Sequence, residues 1–160
     1  MKGRLYLLDT SALVNIVRGN DLGKFIQQTY DLLNPATRPL ISVVSHGELW
    51  AMAARRNWQR NKRQALQQTI DAVVTIDLNA GEIITAYVEV DKLSQTVAKG
   101  ARTLSKNDLW IAATAKASNA ALLTTDQDFL FLHPHYLFVE YVDPRSKLAI
   151  PTLGNQPKAQ

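Results

Sequence analysis

Five short apolar runs, each closed by a polar stop and separated by stretches of helical spacing, constrain this chain more than any other feature. They are Leu5–Leu8, Leu40–Val44, Val73–Ile76, Ala121–Thr124 and Leu137–Tyr141. Runs this short and this continuous suit strands buried on both faces of a parallel sheet, because a half-exposed strand would alternate polar and apolar residues. Helical patterns fill the gaps: Ala12–Val17, Asp21 to about Leu33 with Asp21 as its cap, and a helix opened by Ser45 that carries Glu48-Leu49-Trp50-Ala51-Met52. Gln64–Ala72 follows, then Ala80–Leu93 with Ile83, Ile84, Tyr87, Val90 and Leu93 on one side, then the Ala-rich Asp108–Ser118. The polar stretch 57–61 reads equally as a break or as a helix continuing, and Thr96–Leu104 reads as a loop. Strands alternating with helices predict an α/β sandwich with a parallel sheet covered on both faces. A chain of 160 residues fits one such domain. In an open sheet of this kind, ligands bind beyond the carboxyl ends of the strands, near a topological switch point.

That edge is where the chain puts its scarce acids. Asp9 ends the first run, Asp126 lies just past the fourth, Glu48 falls in the expected first turn of the second run's helix, and Asp108 opens the helix that leads into the fourth. Each acid also has a purely structural use. Ser45-His46-Gly47-Glu48 and Ser105-Lys106-Asn107-Asp108 match the capping box, Asp9 suits a helix cap, and Asp126 with Asp128 suits an Asx turn. The set is more specific than its members. Carboxylates gathered at one rim repel one another, and their burial costs several kcal/mol each without a counter-charge. A divalent cation relieves that conflict, and all-oxygen ligands favour Mg²⁺ or Mn²⁺ over zinc. Such an ion acidifies water and shields phosphate charge, which points to phosphodiester hydrolysis.

The residues around these acids carry a resemblance. Leu7-Leu8-Asp9-Thr10-Ser11-Ala12-Leu13-Val14, Val43-Val44-Ser45-His46-Gly47-Glu48-Leu49, Asn107-Asp108-Leu109-Trp110-Ile111-Ala112-Ala113-Thr114-Ala115 and Leu123-Thr124-Thr125-Asp126-Gln127-Asp128-Phe129 resemble, in order, the four motifs of PIN-domain nucleases. The acids are separated by 39, 60 and 18 positions, which fits the compact members, and among these VapC-type toxins of toxin–antitoxin pairs. The resemblance covers residues 4 to about 141. It implies a five-stranded parallel sheet in a three-layer α/β/α sandwich and a Mg²⁺- or Mn²⁺-dependent endoribonuclease leaving 5′-phosphate and 3′-hydroxyl ends. By motif position, Asp9, Glu48, Asp108 and Asp126 would be catalytic and hold the metal. Thr10 or Ser11 would place a hydroxyl beside it, Thr124 would hold the last loop, and Asp128 would be a ligand or a loop-stabilising acid. The family further implies homodimers and, for toxins, a cognate antitoxin covering the cleft. The chain departs from the toxin pattern in its length, around Arg55–Arg63 and after Asp143. We therefore expect a nuclease domain over 1–143 and an extension over 144–160 that packs on a dimer mate or is loosely ordered.

Charge completes the expectation. Eighteen Lys and Arg stand against fourteen acids, a net charge of +4, and setting aside the four candidate site acids leaves ten. The excess bases are thus expected outside the cleft, holding RNA. Arg102 and Lys106 precede Asp108, while Arg55, Arg56, Arg60, Lys62 and Arg63 surround Trp58, which could stack on an unpaired base or simply sit on a solvated helix face. His133-Pro134-His135 offers a metal-free acid–base alternative. Other function classes lose ground: Cys is absent, and there is no Gly-rich phosphate loop or Gly-x-Ser-x-Gly elbow. The apolar start Leu5–Leu8 is too short for a signal-peptide core, and no run reaches a membrane span, so a cytoplasmic protein without membrane contact is expected. Two alternatives to a toxin remain at this level: a catalytically silent PIN-like module that binds RNA or protein, and a PIN nuclease of RNA processing outside toxin–antitoxin systems.

Overall fold

The structure is a computed structural model that describes residues 3–97 and 103–146. Five parallel strands form one sheet in the order β3-β2-β1-β4-β5. They are β1 (Tyr6–Leu8), β2 (Leu40–Ser42), β3 (Val74–Ile76), β4 (Ala121–Thr124) and β5 (Val139–Tyr141). Six helices connect and cover them: α1 (Thr10–Arg18), α2 (Asp21–Thr29), α3 (Val43–Arg55), α4 (Arg60–Ala72), α5 (Gly81–Gln95) and α6 (Lys106–Ala117). β1 pairs with both β2 and β4, Leu7 facing Leu40 and Leu122 in register, so the chain order reverses at β1. The switch point therefore lies at the carboxyl ends of β1 and β4.

Strand alternation splits the core into two layers. Tyr6, Leu8, Ala121 and Leu123 pack with residues of α1, α3 and α4. Leu7, Leu40, Leu122 and Val139 pack on the other face with Leu109, Ile111 and Val90 of α6 and α5. The expected α/β/α sandwich with five parallel strands is the observed fold. One backbone approach fixes how α1 and α2 cross. Gly23 lies so close to the Asn15 carbonyl that a Cβ there would overlap backbone atoms.

Several local expectations give way to the structure. β2 stops at Ser42, which caps α3 by accepting from the Val44 amide at 3.2 Å. Ser45 is therefore a buried residue inside α3, no cap, and Glu48 sits in the second turn. Asn20, not Asp21, caps α2, its side chain accepting from Gly23 N at 2.9 Å, and α2 ends at Thr29 rather than near Leu33. The 57–61 stretch divides: the chain breaks at 57–59, where Asn57 has a left-handed φ of 48°, and Arg60 and Asn61 already belong to α4, which starts four residues before the expected Gln64. On α5, Ile83 and Val90 are buried but Ile84 and Val88 are exposed, so the apolar side is narrower than the spacing suggested. Trp58 is 6% exposed and belongs to the α1–α4 core, with Lys62 Nζ 4.3 Å over its ring. A base-stacking role for it is excluded by that burial. The loop expected at 96–104 falls largely outside the described residues, as do residues 147–160 of the expected extension.

Candidate active site

The carboxyl end of β1 fixes the first acid. Asp9 is 4% exposed and caps α1, its Oδ1 accepting from Thr10 N at 2.8 Å. Its Oδ2 accepts from Ser11 Oγ at 2.6 Å and from Thr124 Oγ1 at 2.8 Å. Thr124 ends β4, so α1 and the strand beside β1 together hold the carboxylate across the switch point. Thr124 Oγ1 also accepts from Asp126 N at 3.0 Å, and Asp126 Oδ1 accepts from Asp128 N at 2.9 Å. The backbone amide of Asp128 thereby closes an Asx turn on the Asp126 side chain.

Glu48 reaches the same edge from α3. Thr10 Oγ1 donates to Glu48 Oε1 at 2.8 Å and is hydrogen-bonded to Ser45 Oγ at 2.9 Å. Ser45 thus joins the hydroxyl network, although sequence reasoning assigned it to a cap; its position three residues before Glu48, one turn away on the same face, was the available signal. Asp108 lies in the first turn of α6, its amide donating to the Ser105 cap at 3.2 Å. Burial, and then the negative charges of Asp9, Asp126 and Glu48, push its carboxyl up to about 6, against a smaller lowering by the Ser105 hydroxyl. Burial likewise raises Asp9, with Asp126 adding to the rise, against the three hydrogen bonds that favour its ionised form.

Asp108 therefore feels the other three acids, and among the described residues none of the four is ion-paired with a base. Their oxygens suit a hard divalent cation. Among the described residues, however, no three His, Cys, Asp or Glu side chains form a ready-made ligand group. The donor set fits an ion that keeps most of its water and takes few direct carboxylates, as Mg²⁺ does.

The basic candidates separate. Lys106 is exposed and is the first residue of α6, two positions before Asp108. Arg55 and Arg56 are exposed but follow Glu48 by two helical turns, about 10 Å along α3, so the structure does not bring them to the acids. Arg102 lies outside the described residues. The His pair is no rival: His133 accepts from Val139 N at 3.1 Å through Nδ1 and packs on Phe138, at the opposite end of the sheet. Missed by sequence reasoning is a cavity of about 440 Å³ beside Asp126, whose lining includes Ser11, Gln127, Tyr141 and Arg145. The apolar groove of about 280 Å³ between α1 and α4 holds no charged residue and lies apart from this chemistry.

A three-layer α/β/α sandwich with an acidic cleft at its switch point is the class these features define. The PIN domain model matches residues 6–131, and the chain belongs to the PIN-domain family. It is 29% identical over 121 residues to Ribonuclease VapC1 of Haemophilus influenzae (strain R2866), covering 75% of this chain and 85% of that relative. Among solved structures it is similar to VapBC-1 from nontypeable Haemophilus influenzae, with a TM-score of 0.65 and 25% identity, covering 86% of this chain and 97% of that one. VapBC2 from Rickettsia felis bound to a promoter DNA fragment shares the fold at a TM-score of 0.70 and 23% identity, covering 86% and 98% of the two chains.

Proposed function

We propose that this chain is a Mg²⁺- or Mn²⁺-dependent endoribonuclease, the toxin of a toxin–antitoxin pair. The observation that carries the reading is Asp9, a carboxylate 4% exposed, surrounded by hydroxyls and further carboxylates and, among the described residues, ion-paired with no base. Such a group is kept ionised most readily by a cation, and its all-oxygen neighbours select a hard one. The relatives named as ribonucleases support RNA as substrate, and the VapBC complexes support an antitoxin partner.

Asp9, Glu48, Asp108 and Asp126 are the residues that would hold the ion, which supplies charge neutralisation at the phosphate and lowers the pKa of water. Ser11 and Thr124 orient Asp9, Thr10 orients Glu48, and the backbone amide of Asp128 holds the turn of Asp126. Water oxygen joins phosphorus, the P–O3′ bond breaks, and a proton ends on O3′, leaving 5′-phosphate and 3′-hydroxyl products. Lys106 meets the RNA backbone beside the cleft, with Arg102 on the adjoining segment.

Homodimerisation, a cytoplasmic location and a nuclease domain over 1–143 with an extension over 144–160 belong to the same reading. Among the described residues no helix is long and apolar enough to cross a membrane. The test is cleavage of single-stranded RNA with Mg²⁺ or Mn²⁺, with EDTA and with Asp9→Asn. Equal cutting in EDTA would overturn the metal mechanism. RNA retained but uncut at every Mg²⁺ and Mn²⁺ level would favour a silent binding module.

A further inference from the structure

The amino-terminal edge of the sheet, about 10 Å along β4 from the acids, holds a second polar concavity of about 210 Å³. Arg4 enters it from the segment before β1, Lys116 from the last turn of α6, and Asn119 from the turn into β4. Tyr136 and Phe138, just before β5, form its far wall. We propose that this pocket binds a phosphate group.

Three features carry the proposal. The first is unbalanced charge: two bases line the pocket and no acid does. All fourteen acids of the chain fall among the described residues, and the one ion pair there joins Asp143 to Arg145. Lys116 belongs at a helix carboxyl end, where it compensates the helix dipole. Arg4 has no such explanation.

The second is a preset fork. The Arg4 guanidinium carbon lies 3.8 Å from the centroid of the Phe138 ring, which holds the cation against the wall of the pocket. Nη1 is buried and has no hydrogen-bond partner among the described residues. An orphaned buried donor is costly, and a planar fork of donors matches the oxygens of a phosphate.

The third is the holding of the other two donors. Lys116 Nζ donates to the Tyr136 carbonyl at 2.7 Å and lies 4.6 Å from its ring centroid, which leaves two of its three protons for a ligand. Asn119 adopts a left-handed φ of 51°, turning the chain sharply at the rim. The volume is several times the roughly 30 Å³ of a water molecule, which leaves room for a phosphate and its hydration. The phosphate has two possible sources, a free phosphate-bearing ligand or the backbone of an RNA that wraps beyond the cleft.

The experiment is a titration of the full chain followed by amide NMR at Asn119, Ala121 and Leu122, first with inorganic phosphate. Saturable shifts in the wild type, weakened at least tenfold in Arg4→Gln and in Lys116→Gln, are expected. Arg4→Lys keeps the charge without the fork and should fall between. A second arm measures binding of a 2′-O-methyl RNA in EDTA against salt. If the backbone is the source, each variant lowers the slope of log K on log salt by about 0.7; an unchanged slope assigns the pocket to a free phosphate ligand. Absence of saturable phosphate shifts, or identical shifts in well-dispersed spectra of both Gln variants, overturns the proposal. Neither arm requires RNA cleavage, so loss of the nuclease reading would leave it standing.

Discussion

Thr10 Oγ1 donates to Glu48 Oε1 at 2.8 Å, joining the first residue of α1 to the second turn of α3 across 38 positions of sequence. The bond ties the helix capped by Asp9 to the helix that carries the second acid. A hydrogen bond to a charged group contributes about 1.5–3 kcal/mol. Thr10→Val, nearly isosteric, should therefore lower kcat by roughly 10- to 100-fold through a misplaced Glu48, with a change in melting temperature of only a few degrees. Paired steady-state kinetics and thermal melts check this, and unaltered kcat would remove Thr10 from the positioning network.

Asp9→Asn separates charge from shape. Burial raises the Asp9 carboxyl, so the folded chain holds this charge at a cost. The amide should abolish RNA cleavage and, in EDTA, raise the melting temperature. A drop in melting temperature would show that the hydroxyls of Ser11 and Thr124 stabilise the carboxylate by more than its burial costs.

Asp108 sets a pH dependence of unusual sign. Its folded pKa, about 6, lies above the ordinary carboxylate value. Between about pH 4 and 6 the folded chain thus binds more protons at this site than the unfolded chain. Its contribution to stability is greatest at the acid end, falls as pH rises through that window, and is constant above it. Melts in EDTA at pH 5 and pH 7 should show the wild type gaining stability on acidification relative to Asp108→Asn. Equal pH responses of the two proteins would contradict the shift.

Adding a divalent ion should raise the melting temperature of the wild type at pH 7, since a ligand bound only by the folded state stabilises it. The increment should shrink in Asp9→Asn and be absent in a variant lacking all four acids. Differential scanning fluorimetry over a Mg²⁺ or Mn²⁺ series measures it directly. A wild-type melting temperature insensitive to either ion would argue against a cation in the cleft.

Two packing sites test the frame that carries the acids. Gly23→Ala should lower stability strongly, because the added methyl meets the Asn15 backbone and α2 must shift from α1. Trp58→Ala should cost about 3–5 kcal/mol as a large buried residue is removed. At a temperature where that variant stays folded, its RNA affinity should match the wild type. Chemical denaturation and RNA titration read the two effects separately.

The sequence by itself determined the five strands, the α/β layering and the rim on which the acids stand. Those features are local: a run of apolar residues, a polar stop and a helical spacing are each written within about ten positions of chain. It also carried the four motifs that matched the family. Tertiary structure decided what those residues touch. Ser45 fits a cap in sequence, yet Ser42 caps the helix, and Ser45 becomes free to meet Thr10. Trp58, flanked by bases, reads as a surface ring until α3 and α4 close over it. Arg55 and Arg56 look near the cleft by position, but the rise of α3 carries them away from it. The grip of Ser11 and Thr124 on one oxygen of Asp9 spans more than a hundred residues and exists only because β1 and β4 are neighbours. Burial and Coulomb interaction depend on distance in space, so the raised carboxyl of Asp108 came from the fold, although its spacing from the other acids was visible from the start.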